Sequence, residues 1–260
     1  MVHISPYSFT AGVIDEDRRL TNITACTIER DATDETSLLE SATVKLDSTS
    51  FSAGWYAVDA LDEGTRTRLG VFYFTLSSVE QESDGSMVYE LAGTSVLSPA
   101  KNVRVAGGYS VIEGNSGVAT ISNLLSTCTA PLDIESFQVA KTQVFNSNVT
   151  CLGACWSVLR NANMCMQITN DGTIQVKPLP TVATKEISLN SGQLTGSVSV
   201  DDNEVGYQCI LNGRPYDAVY LNLPTFGILQ TRYIASQSID LSSGLTADET
   251  AKETVYDDDE

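Results

Sequence analysis

The chain has 260 residues, of which 42% are hydrophobic and only 18% charged, enough apolar material for one large folded domain or two smaller ones. Thirty-three acidic residues face 15 basic ones, a net charge of -18, and Lys and Arg form no cluster. Phosphate-binding surfaces need such clusters, so nucleic-acid reading is excluded, as is attraction to anionic membrane surfaces.

Ser, Thr, Val, Ile and Tyr recur where long helices would use Glu, Lys and Ala, which favours strands. In chain order, Ile23 to Arg30 reads as the partner of Ala42-Thr43-Val44-Lys45-Leu46-Asp47, whose strict alternation predicts a strand with one buried face. Leu69 to Leu76 is apolar on both faces and is predicted to be central and covered on each side. Asp84-Gly85 predicts a hairpin turn, with the return through Met87 to Leu91.

After Gly107-Gly108 the pattern changes. Asn115 or Ser116 can cap a helix carrying Val118, Ile121, Leu125 and Cys128 on one face, with Pro131 as its stop. A second helix is predicted over Cys155 to Ala162. It leads into Met166 to Thr169, the turn Asn170-Asp171-Gly172, and Ile174 to Val176, ended by Pro178. Strands return between residues 187 and 241, clearest at Ser197 to Val200 and Ala218 to Leu221, with Asp201-Asp202-Asn203-Glu204 as a solvated turn. The last fifteen residues hold Asp248, Glu249, Glu253, Asp257, Asp258, Asp259 and Glu260 against Lys252, and are expected to be a disordered acidic tail.

Sites for chemistry are scarce. The single histidine, His3, lies at an expected mobile terminus, where a catalytic triad is hard to fix. Asp201 and Asp202 are neighbours whose side chains point apart and read as a polar turn. Gly107-Gly108-Tyr109 and Gly153-Ala154-Cys155 lack the remaining residues of a phosphate loop or dinucleotide fingerprint. Trp156 reads as a core anchor and Arg66 and Arg68 as an exposed edge. Cys151, Cys155 and Cys165 cluster without a completing Cys or His pair. Together with Cys26, Cys128 and Cys209 they are expected to be buried free thiols rather than disulfides or a zinc site. No catalytic, cofactor-binding or metal-ligating residue is therefore assigned, and the chain is not expected to be an enzyme. The first residues, Met1 to Pro6, lack the basic and apolar segments of a signal peptide, and no run approaches the ~20 apolar residues of a membrane span. Folding in the cytoplasm without stable membrane insertion is the expectation.

Three passages carry a resemblance. The first runs from Ile23 to Leu46, through Thr27-Ile28-Glu29-Arg30 and Leu39-Glu40-Ser41-Ala42-Thr43-Val44. The second is Arg68-Leu69-Gly70-Val71-Phe72-Tyr73-Phe74, followed by the Asp84-Gly85 hairpin and Tyr89 to Leu97. The third opens with Gly108 to Asn115, resumes at Gly153-Ala154-Cys155-Trp156-Ser157-Val158-Leu159 and ends with Asp171 to Pro178. In layout they resemble the baseplate-hub or tail-tip hub proteins of tailed bacteriophages.

The resemblance implies a mainly β fold with a smaller α/β part. Its divisions would be a first tube-like β-barrel domain over 1–105, an α/β domain over 106–182, a second β-barrel portion over 183–245 and the acidic tail over 246–260. It implies a homotrimeric ring joining a sixfold tail tube, or a distal tail protein, to a threefold spike or fibre. That ring would surround the DNA exit channel of a virion assembled in the host cytoplasm, with DNA passing unbound. The family's long fibre or lytic extension is not matched, which favours a minimal hub with a separate spike. The competing readings are a different ring or adaptor of the tail tip, an enzyme, and a free-standing β-rich carbohydrate-binding or adhesin domain, which would show an exposed aromatic patch.

Overall fold

The computed structural model describes all residues except 33–39, 48–50, 190, 191, 202, 212, 243, 255 and 257–260. The first stretch holds β1 (Val2–Ser8), β2 (Val13–Ile14), β3 (Ile23–Asp31), β4 (Ser41–Leu46), β5 (Gly54–Asp62), β6 (Thr65–Gln81) and β7 (Met87–Thr94). The middle holds α1 (Ser98–Asn102), β8 (Tyr109–Val111), α2 (Gly117–Leu124), β9 (Leu132–Ile134), β10 (Gln143–Phe145), α3 (Cys151–Asn161), β11 (Met164–Ile168) and β12 (Ile174–Pro178). The last holds β13 (Lys185–Ser188), β14 (Leu194–Asp201), β15 (Glu204–Ile210), β16 (Ala218–Leu223), β17 (Ile228–Asp240) and β18 (Thr246–Lys252).

Among the described residues, one 13-stranded sheet runs β14-β15-β18-β17-β3-β4-β7-β6-β5-β1-β2, with β16 also on β17 and β13 on β16. The chain is thus mainly β, and this sheet is open and almost wholly antiparallel. Two of the expected boundaries do not divide it. β17 pairs with β3 through Ser238↔Glu29 and Ile239↔Ile28, so residues 183–245 continue the first stretch instead of standing apart. The expected acidic tail is also corrected: residues 246–252 form β18, locked between β15 and β17. Alternation explains how an acidic segment enters a sheet. Ala247, Glu249 and Ala251 point inward while Asp248 points to solvent, and the one inward carboxylate meets Lys185 at 3.2 Å. Of the rest of that expected tail, residues 255 and 257–260 lie outside the described residues.

The elements follow from local chemistry. In β4, Ala42, Val44 and Leu46 are buried and Ser41, Thr43 and Lys45 exposed, as the alternation predicts. Gly93, opposite Phe74, leaves room for that ring: a Cβ there would lie 2.6 Å from Phe74 Cε1. The Ser116 hydroxyl caps α2 by accepting from Ala119 N at 3.2 Å, but the helix ends at Leu124, well before Pro131. Thr150 caps α3 through Gly153 N at 2.9 Å, so that helix starts four residues earlier than its apolar run alone suggests.

Three cores result. Ile4, Ile28, Val44, Phe72 and Phe74 centre the first. Val205, Leu221 and Ile234 centre the second, on the same face of the sheet. Ile121, Leu152, Val158 and Ile174 centre the third, under α2 and α3. This third body also covers the far face of β6: a Cβ on Gly172, in the β11–β12 turn, would lie 3.1 Å from Val71 and 2.9 Å from Phe9. The second cover demanded by the doubly apolar Leu69 to Leu76 is therefore supplied within the chain at Val71, while Tyr73 and Leu76 further along remain exposed.

All six cysteines are free thiols; Cys26, Cys155, Cys165 and Cys209 are buried and Cys128 and Cys151 half-buried. Burial pushes the Cys26, Cys165 and Cys209 thiols up to about 12, and Cys155 well above its ordinary value. In native protein at pH 8, only Cys128 and Cys151 should react with a thiol reagent within minutes, and all six after denaturation. Because the folded values are raised, these thiols favour the fold fully below about pH 9, where the unfolded chain's thiols are still protonated. That contribution is lost as pH climbs toward 12, so the urea midpoint should fall across this window. A flat midpoint from pH 9 to 11 would contradict the burial.

Candidate functional site

The face of the large sheet opposite its two cores is polar from one half to the other. On β14 it presents Ser197, Ser199 and Asp201, and on β15 Glu204, Gly206 and Gln208. β18 adds Asp248 and Thr250, β17 Ser236, Ser238 and Asp240, and β3 Thr27, Glu29 and Asp31. β4 and β7 extend it with Ser41, Thr43, Lys45, Glu90 and Thr94. The pattern is one of hydroxyls and carboxylates, and the cations on these strands are answered locally. Lys45 stands 3.7 Å from Glu90, and Lys252 2.7 Å from Glu204. Hydrogen bonds hold two of the acids in place: Ser238 donates to Glu29 at 2.6 Å, and the Ser242 hydroxyl and backbone N–H both donate to Asp240. The Ser242 bonds hold the Asp240 carboxyl below the usual range, keeping it ionised. Among the described residues this face therefore offers negative charge and hydroxyls, and no unpaired cation to hold a phosphate.

The opposite face carries a buried polar junction between the two sheet cores. Arg30, 3% exposed, donates to Gln237 Oε1 and the Leu69 carbonyl and pairs with Glu40 at 3.2 Å. Arg214 meets the same Glu40, the same Leu69 carbonyl at 2.8 Å and Asn170 of the α/β part. Glu249 accepts from Gln237 Nε2 at 2.8 Å and from Lys185. Burial pushes the Arg30 guanidinium down to about 10, with Glu40 opposing the fall and Arg214 adding to it. One network thus ties β3, β17, β18, β13 and the β11–β12 turn together. Alternation holds its signal: Arg30 follows Cys26 and Ile28 on a core-facing register, and Glu249 sits between Ala247 and Ala251.

The residues weighed for chemistry are dispersed. His3 is held in β1, opposite Asp59, rather than on a mobile end, and its ring lies 3.4 Å from Arg19 Nη1. Arg66 and Arg68 are not an ordinary exposed edge, because both grip the fully buried Asp59. Asp201 and Glu204 close the β14–β15 hairpin, and Asp202 lies outside the described residues. Gly108 sits in the left-handed turn before β8, and Gly153 within α3. Trp156 packs half-buried against the third core. No cluster of His, Cys, Asp or Glu with metal-binding geometry occurs among the described residues, and no helix there is long and apolar enough to cross a membrane.

No protein-family model matches the chain, and no curated protein matches its sequence. Solved structures do match its fold from end to end. The 43 kDa tail protein of prophage MuSo2 from Shewanella oneidensis aligns with a TM-score of 0.69 at 8% identity, over 96% of this chain and 95% of that one. A tail protein from Neisseria meningitidis MC58 gives 0.64 at 11% identity, over 97% and 96%. Prophage tail protein gp18 from Listeria monocytogenes EGD-e gives 0.59 at 10% identity, over 98% and 95%. The chain therefore has the fold of phage tail proteins.

Proposed function

We propose that the chain is a structural, non-enzymatic hub of a phage tail tip or baseplate. Three copies form a ring that joins the tail tube to a spike or fibre and surrounds the DNA exit channel. The observation that carries this reading is the polar, net acidic face, which continues without interruption from β14 to β7. A conduit for a polyanion needs a wall that offers no wells of positive charge, and this face supplies one. The end-to-end fold likeness to tail proteins supports a place in the virion tail. Each copy would meet its neighbours along the ring, the tube or a distal tail protein above and the spike or fibre below, with no cofactor or metal.

An adhesin would bind through an exposed aromatic platform. Tyr7, Phe9, Trp55 and Tyr73 do form an edge-to-face ladder with centroids 5.1 to 5.3 Å apart. Phe9 and Trp55, however, are packed half-buried against the third core, which favours the hub. Electron microscopy of tails carrying the tagged protein should show three copies at the tail end. A single copy per tail, or a monomer on the outer surface, would overturn the reading.

A further inference from the structure

Beyond β18 the chain leaves the sheet through Glu253, which accepts from Gln230 at 2.8 Å and pairs with Arg232 at 3.1 Å. It then reaches the third core with one side chain, Tyr256. The Tyr256 ring stands edge-on to Trp156 of α3, with centroids 5.4 Å apart and an interplanar angle of 76°. It lies 6.0 Å from Tyr216, and its hydroxyl donates to the Met164 carbonyl at the start of β11. Tyr216 belongs to the loop entering β16 and is itself constrained: it is 1% exposed and holds a left-handed φ of 73°, unusual for an aromatic residue. Tyr256 thus touches both sides of the boundary, α3 and β11 on one and the β16 approach on the other.

We propose that Tyr256 is a latch that fastens the α/β part to the second half of the sheet and is built to open before the sheet does. Its attachment differs in kind from that of β18. The strand is held by two ladders, whereas Tyr256 is one half-buried ring and one hydrogen bond. Opening would uncover Trp156 and release Tyr216, a wall of the small cavity that Arg30, Glu40 and Arg214 also line. The polar links from Gln167 to Pro215 and from Arg214 to Asn170 would remain. The α/β part would stay seated through these links and through the Gly172 turn on Val71 and Phe9, so that only its α3–β11 edge loosens while the acidic face keeps its shape. The inference rests on packing alone and stands whether or not the hub reading does.

Hydrogen exchange on the full chain tests it, with Tyr256→Ala and Tyr256→Phe compared in a Trp55→Phe background so that Trp156 fluorescence reports the same event. Alanine should speed exchange in α3 and β11 by about tenfold or more, the scale expected for losing a buried aromatic contact. It should also shift Trp156 emission to the red and leave β15 and β18 unchanged. Phenylalanine keeps the ring and should fall between. Unchanged α3 and β11, or an equal loosening of β15 and β18, would overturn the latch. So would a dependence on protein concentration, because the ring would then come from a second copy.

Discussion

Replacing Arg30 with Ala should lower stability by about 3–5 kcal/mol, the range for removing one partner of a buried ion pair. For a chain of this size that corresponds to a fall in Tm on the order of 10 °C. Three things fail together in the variant. Glu40 keeps only Arg214, Gln237 loses the donor to its Oε1, and the Leu69 carbonyl loses one of its two guanidinium donors. Burial makes each loss expensive, since Arg30 is 3% exposed and water cannot replace the missing partner. Lys45→Ala is the control. Its ion pair with Glu90 is longer, at 3.7 Å, and both side chains reach solvent, so it should cost less than about 1 kcal/mol. Calorimetry of the two variants separates the cases. A Tm for the Arg30 variant within about 2 °C of the parent would mean that the junction does not hold the two halves of the sheet together.

The same junction shows where the sequence is legible and where it is not. Alternation in Ala42 to Leu46 and the Asp84-Gly85 turn are local signals, and β4 and the β6–β7 hairpin form where they predict. Strand order is a long-range fact. Nothing between Ile23 and Arg30 announces that its second neighbour is β17, more than 200 residues away. Residues 246–252 read as disordered when charge is averaged over the segment, and as a strand when its alternation is followed. Asp248 and Glu249 occupy opposite faces, and only the second needs a buried partner, Lys185, 64 residues upstream. The apolar character of Val71 had a similar remote cause, since its cover comes from the β11–β12 turn of the same chain. The acidic face was legible as a sum of charge but not as a surface. It emerges only when Glu29, Ser238, Asp248 and Ser199 are brought side by side on β3, β17, β18 and β14.

That surface makes the sharpest prediction about function. Glu29, Asp240 and Asp248 are exposed carboxylates on adjacent strands, and replacing all three with Lys reverses the charge at the centre of the face. If the proposed ring forms, the parent protein should show no measurable affinity for duplex DNA even at 50 mM salt. Three copies of the variant would present nine new cations to one duplex. If six to ten phosphates are neutralised, affinity should appear at low salt and weaken by about 10³–10⁵ between 50 and 200 mM, the dependence set by counterion release. Lysine is tolerated on an exposed strand face, so the variant should fold, and an unchanged Tm would confirm it. In phage carrying the variant, tails should assemble with normal copy number while DNA ejection slows, because the duplex now meets wells along its path. Normal ejection by variant tails would show that this face does not line the proposed channel, and DNA binding by the parent protein at low salt would show that the face is not repulsive. Either result removes the acidic face as the basis of the proposed conduit, whereas slowed ejection with steep salt dependence ties the charge to the passage of DNA.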